Sequence, residues 1–265
     1  MIKEFQDKKE WVLILGGSSG LGLATAKKLA GHGLNVCIIY RSPRMQEETI
    51  QAEFEIIKNE GVAFKSFNTD AFKPEKRDAV IKVLKTEFST KQKIKLLVHS
   101  VAKGNLKPMV SHDNSVLKHD DFALTINAMG ISLYDWTKAL FEANLFSDDS
   151  RIISFTSEGN SKAWQNYAAV SAAKVTLEAI TRNIALEFAP YGIKANCIQA
   201  GVTDTSSLRM IPGSEKIIEH TLKRNPNKRL TLPEDVANAV YLLSKDEAAW
   251  ITGTVIPVDG GEHLS

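Results

Sequence analysis

Cysteine is scarce in this sequence: Cys37 and Cys197 are the only two among 265 residues. Each sits in an apolar stretch, VCII and NCIQ, so two buried structural thiols are expected rather than a disulfide, a metal site or a nucleophile. Long apolar runs are missing as well, and nothing approaches the roughly 18 residues that a membrane-spanning helix needs. The opening MIKEFQDKKEW is charged and has no apolar centre, so no secretory leader is expected there. Excess charge of one sign is also absent. A formal net charge of +2 argues against a nucleic-acid binder or a membrane-surface protein. Internal repeats, low-complexity segments and linkers are not found. With 43% hydrophobic and 24% charged residues, the chain has the composition of a globular protein with a full core. The expectation is a soluble, cytoplasmic, enzyme-sized single domain over 1–265, with no metal.

What the sequence does contain is alternation. Short apolar or β-rich runs at 11–16, 35–40, 62–68, 94–100, 151–157, 194–199 and 253–258 read as strands. Between them lie helical patterns at 21–33, 45–61, 74–89, before strand five, at 164–189 and at 233–244, with a lid-like segment at 202–230. Pro74 stands near the start of the third helix, where its fixed φ is tolerated. Strand–helix alternation implies right-handed crossovers and a parallel sheet. The expected class is α/β: a single-domain, Rossmann-type, doubly wound parallel sheet of about seven strands with helices on both faces.

The first strand runs into Gly16-Gly17-Ser18-Ser19-Gly20-Leu21-Gly22 and then a helix. Glycines let the backbone turn tightly and approach a pyrophosphate, and the helix start offers free amides and a positive dipole end. The G-x-x-x-G-x-G spacing of Gly16, Gly20 and Gly22 is wider than the common fingerprint, and a glycine cluster alone can be a mere tight turn. Its place at the head of a full β/α series points to a dinucleotide. The end of the second strand selects which one. An acid there would hold the ribose diol of NAD, whereas a basic residue accommodates the phosphate of NADP. Tyr40-Arg41-Ser42-Pro43-Arg44 has no acid before Glu47. Arg41 or Arg44 with Ser42 favours NADPH over NADH, the alternative being two solvated arginines. Asp70, after the third strand, is placed to meet the adenine or simply to cap its loop.

Those glycines, Asp70, HSVA (99–102), Asn127, a Tyr/Lys helix, GIKAN (192–196), AGVTDT (200–205) and VDGG (258–261) together resemble the short-chain dehydrogenase/reductase superfamily over nearly the whole chain. The common carbonyl-reducing members carry Tyr-x-x-x-Lys, but here the residue four before Lys174 is Val170. Instead Tyr167 stands seven before Lys174, which is similar to enoyl-[acyl-carrier-protein] reductases of the FabI and FabL types. HSVA resembles the FabI type, and NYAAVSAAKVTLEAITRNIALEF with VTDTSSLRMIP the FabL type. Residues seven apart share a helix face about 10.5 Å along the axis. Lys174 can therefore hold the nicotinamide ribose while Tyr167 reaches the substrate, and an ammonium nearby would lower the tyrosine pKa.

The resemblance further implies cofactor contacts from Ser18, Ser19, Gly20, Leu21 and Ser100, and from Gly201, Thr203 and Thr205 around the nicotinamide. It implies a homotetramer built on the helices around 125–146 and 164–189 and on the C-terminal strand. Ser157 falls where the common branch keeps a carbonyl-polarising serine and where FabI-type members keep a second tyrosine; it can also merely cap strand five. Asn127 matches an asparagine of the common branch that supports the lysine and a proton-relay water. The expected reaction is NADPH-dependent reduction of a trans-2-enoyl thioester, with Tyr167, alone or with Ser157, facing the thioester oxygen and the proton for C2 coming from solvent or a relay through Lys174 and Asn127. Arg209, Lys216, Lys223, Arg224, Lys228 and Arg229 make the lid basic, which suits an acidic acyl carrier protein or is a solvated face. A 3-oxoacyl or ketone reductase and an idle nucleotide-binding sensor are the rival readings.

Overall fold

In a computed structural model that describes residues 2–88, 92–112 and 115–264, seven strands form one parallel sheet. They are β1 (Glu10–Leu15), β2 (Asn35–Tyr40), β3 (Phe64–Asn68), β4 (Lys93–His99), β5 (Phe146–Ser157), β6 (Ile193–Ala200) and β7 (Val255–Val258), in the order β3-β2-β1-β4-β5-β6-β7. The chain reverses direction across the sheet between β1 and β4, which opens a crevice at the carboxyl ends of the strands. Register brings Leu15 beside both Ile39 and His99, and Ala200 beside both Ser157 and Val258, so the strand ends form one rim.

Burial follows the period of two that a doubly covered sheet demands. Trp11, Leu13 and Leu15 of β1 enter one core with α3 (Pro74–Glu87), α5 (Ser132–Glu142) and α6 (Ala168–Glu187). Val12 and Ile14 enter the other, with α1 (Gly20–Gly31), α2 (Glu47–Lys58) and α9 (Pro233–Ser244). The third helix, expected over 74–89, ends at Glu87, and Ser89 lies outside the described residues. β5 starts five residues earlier than its apolar run, because the Ser150 hydroxyl satisfies the Ile94 carbonyl at 3.1 Å within an otherwise polar stretch.

Three departures bear on the site. Helix α4 (His119–Ile126) runs through a π-helical turn, Asn127–Ile131, into α5. The helix expected from 164 begins only at Ala168, leaving Tyr167 as its N-terminal cap residue, with Ser171 N donating to Tyr167 O at 2.8 Å. The lid-like segment holds two helices, α7 (Ser206–Arg209) and α8 (Ser214–Arg224). Among the described residues, no helix is long and apolar enough to cross a membrane.

Candidate active site

The site begins where β1 ends. Gly16 has φ +83° and a Cβ there would lie 2.1 Å from the Ser100 carbonyl oxygen. A Cβ on Gly22 would meet Gly16 O at 2.3 Å. The turn, the first turn of α1 and the end of β4 are thus packed backbone on backbone, which only hydrogen at these two positions permits. Ser19 caps α1 without a side-chain hydrogen bond, so the helix's first amides remain available to an anion. This cradle fits a pyrophosphate.

From it a cleft of about 510 Å³ runs along the carboxyl edge of the sheet. Gly16, Ser18, Ser19, Gly20, Leu21, Arg41 and Ser100 line the end next to the glycine turn. Ser157, Tyr167, Lys174, Gly201, Thr203 and Thr205 line the far end. Gly22, Ser42, Asp70 and Asn127 do not line it. Gly22 serves the packing just described. The Ser42 hydroxyl turns away and donates to Gln46 Oε1 at 2.9 Å, so it does not back up Arg41. One Asp70 carboxylate oxygen accepts from Phe72 N at 3.1 Å and the other from Arg41 at 2.8 Å, which is the loop-capping arrangement. Asn127 is exposed at the start of the π-helical turn, outside the cleft, because that turn packs its following residues Ala128, Met129 and Gly130 inward instead. The structure therefore does not bring Asn127 to the relay position expected of it.

At the far end, the Tyr167 and Ser157 hydroxyl oxygens are 3.3 Å apart. Lys174 is 7% exposed and donates from Nζ to Phe155 O at 2.6 Å. Burial disfavours its ammonium and lowers its pKa to about 8, against the opposing pull of Cys197 and Glu178. The expected lowering of the Tyr167 pKa is overturned. Burial raises it, only partly offset by the hydrogen bond with Ser157, since the Lys174 ammonium is spent on a backbone carbonyl. At neutral pH Tyr167 is a protonated donor. His99 of the HSVA stretch is fully enclosed, bonded at 2.7 Å to Ser132 Oγ, and pushed by burial to about 3, so it is neutral. Cys37 and Cys197 are both buried and free, and burial raises both thiols, the Cys197 one to about 11.

Several cleft residues carried no signal in the sequence. Trp164 stacks beside Tyr167 at 5.5 Å in the cleft. Glu158 and Glu262, buried carboxylates 104 positions apart in number, both line it, and Arg224 bridges them. Gly159 leaves room for the Tyr167 ring, because a Cβ there would stand 2.4 Å from Tyr167 Cε1. The basic lid is largely neutralised: Arg209 pairs with Asp204, Lys223 with Glu219, Arg229 with Asp235, and Arg224 is buried between its two acids.

A doubly wound sheet with a glycine-built phosphate cradle at its switch point, opening onto a buried Tyr–Lys pair, defines an oxidoreductase of the short-chain dehydrogenase/reductase superfamily. The profile of the Enoyl-(Acyl carrier protein) reductase family matches residues 16–263, and the chain belongs to that family. It is 28% identical over 260 residues to the enoyl-[acyl-carrier-protein] reductase [NADH] FabI of Enterococcus faecalis, covering 98% of this chain and 99% of that one. It is also 28% identical over 252 residues to the 3-oxoacyl-[acyl-carrier-protein] reductase of Synechocystis, covering 94% and 95%. The crystal structure of the Bacillus cereus enoyl-acyl carrier protein reductase with NADP+ and an indole naphthyridinone superimposes with a TM-score of 0.87 at 23% identity, covering 100% and 99%. That last likeness concerns the fold.

Proposed function

We propose that the protein reduces the 2,3 double bond of a trans-2-enoyl thioester with NADPH, as a cytoplasmic step of fatty acid synthesis. One observation carries the reading. Of the positions four and seven before Lys174, the first is an apolar Val170 and the second a cleft-lining Tyr167 whose hydroxyl meets Ser157. Carbonyl reduction by the common Tyr-x-x-x-Lys arrangement has no hydroxyl at its required place.

A nicotinamide bound along the cleft supplies the hydride. Lys174, which keeps one N–H on Phe155 O, would hold the ribose hydroxyls with another and orient the cofactor, a positioning task. Tyr167, protonated and preorganised beside Ser157, donates to the thioester oxygen as negative charge gathers there after attack at C3. One such donor is typically worth about 10²–10³ in rate. The proton for C2 then comes from solvent, with Asn127 outside the cleft. The segment 202–230 forms a lid over the acyl chain, with Leu208, Met210 and Ile211 facing the cleft.

NADPH is favoured by Arg41, which follows β2, lines the cleft and keeps its side chain 65% exposed beside its partner Asp70. The nearby acid, Glu47, takes hydrogen bonds from Tyr40, Gln51 at 2.8 Å and Asn68 at 3.0 Å, so no unengaged carboxylate competes for the ribose. Acyl carrier protein as the thioester carrier rests on the names of relatives, since Arg209, Lys223, Arg224 and Arg229 of the lid are already paired with acids of the chain. A homotetramer is supported by the exposed Leu124, Tyr134, Val175 and Leu186 on the two long helical segments.

The test follows NADPH absorbance on adding crotonyl-CoA or, separately, acetoacetyl-CoA, with NADH in parallel and Tyr167→Phe as control. Oxidation with the enoyl substrate, reduced at least a hundredfold by the mutation, is the expected result. Turnover of the oxo substrate alone moves the protein to the carbonyl-reducing branch, and NADPH binding without either turnover supports the sensor.

A further inference from the structure

Glu158 directly follows Ser157, and Glu262 lies in the turn after β7; they are 8% and 2% exposed and both line the cleft. Arg224, the last residue of α8, donates to Glu158 Oε2 at 2.6 Å, to Glu158 Oε1 at 3.2 Å and to Glu262 Oε1 at 2.6 Å. Lys162 completes Glu158 at 2.6 Å. The same Glu262 takes the amide of Val202, where the lid leaves the sheet, at 3.1 Å, and the Thr221 hydroxyl at 3.3 Å. The start of the lid and its second helix are therefore moored to one carboxylate, and that helix also to the residue beside Ser157. The tip has no such mooring: Met210 is 74% exposed, and the Arg209–Asp204 pair is an exposed one that joins lid to lid.

Buried carboxylates are expensive unless paired, and a planar guanidinium holds two of them only in one geometry. Burial by itself would raise the Glu158 pKa, but the hydrogen bonds of Arg224 and Lys162 bring it below the ordinary carboxylate value, so the ionised state is the one the fold supports. An apolar contact would seal the lid base without fixing its angle; this fork fixes the angle. We infer that Arg224 is a positioning residue for the substrate: through Glu158 and Glu262 it sets the lid's closed position over the Ser157–Tyr167 end of the cleft, leaving the cofactor end to other elements. The inference rests on the lid reading given above, but the latch itself can be read without turnover.

Arg224→Met and Arg224→Lys are compared with the unaltered protein in three measurements: KM for crotonyl-CoA, NADPH affinity by fluorescence titration, and the rate of tryptic cleavage at Arg209 and Lys216 relative to sites outside 202–230. A latch predicts that Arg224→Met raises KM at least tenfold and speeds lid cleavage at least tenfold, with less than a twofold change in NADPH affinity. Arg224→Lys, which keeps the charge but cannot fork to both acids, falls between. Unchanged relative cleavage of the lid overturns the inference, as does a loss of NADPH affinity by the same factor as the rise in KM. Should Arg224→Met fail to fold, lid cleavage in Arg224→Lys equal to that of the unaltered protein overturns it alone. Absence of enoyl reduction would count against the proposed reaction, while the cleavage rates would still decide the latch.

Discussion

The placement of Tyr167 depends on an atom that is missing from Gly159. A Cβ at that position would come within 2.4 Å of Tyr167 Cε1 and 2.8 Å of Cδ1. Ordinary carbon contacts begin near 3.4 Å, so in Gly159→Ala the ring must retreat by about 1 Å. Gly159 has no positive φ, so alanine is tolerated by the backbone and the effect is one of space alone. The ring cannot retreat freely, because Trp164 stands on it at 5.5 Å and its hydroxyl reaches Ser157 at 3.3 Å. Overpacking of this kind typically costs about 1–3 kcal/mol of stability. A reacting group displaced by about 1 Å can lose about 10² in rate. The expected outcome is a kcat for crotonyl-CoA lower by about two orders of magnitude, with NADPH affinity retained and the thermal midpoint down by a few degrees. Steady-state kinetics, fluorescence titration and calorimetry read the three. A Gly159→Ala protein with undiminished kcat would refute the idea that Tyr167 must sit where this glycine allows it.

Two further outcomes follow from the same cleft. Lys174 is protonated below its lowered pKa of about 8 and loses its charge as pH rises through that value, and with it the charge assistance to any bond with the ribose hydroxyls. The kcat/KM for NADPH, which reports the free enzyme, is expected to fall about tenfold per pH unit above about 8, and a flat profile to pH 9.5 would refute this. Replacing Arg41 by serine removes a charge-assisted bond to the 2′-phosphate of NADPH, worth about 1.5–3 kcal/mol. NADPH should bind roughly ten- to a hundredfold more weakly while NADH is unchanged, and equal losses for both cofactors would place the phosphate elsewhere.

The strand–helix alternation of a doubly wound fold, the glycine turn and the Tyr167–Lys174 spacing are all legible in the sequence, because each is specified by neighbours along the chain; the strand order is not. Alternating apolar residues in β1 fill two cores, Gly16 and Gly22 let backbone approach backbone where only hydrogen fits, and Gly20 takes a positive φ of +52°. The start of α6 was misjudged by a few residues, since Trp164 and Tyr167 keep the helical apolar pattern while a left-handed Asn166 with φ +64° prevents the helix from reaching back through them. What the tertiary structure alone decided is where charges and polar groups ended up. Folding gives Arg41 a partner in Asp70 while leaving it exposed in the cleft; Asn127 matches a family position, yet the π-helical turn leaves it in solvent. The basic lid dissolved into local ion pairs, and Glu158, Arg224 and Glu262 met across the cleft from three distant segments. Backbone shape and hydrophobic pattern are local and periodic, and so can be read in one dimension. Burial, pairing and pKa depend on which residues fold against each other, and only the three-dimensional packing settles that.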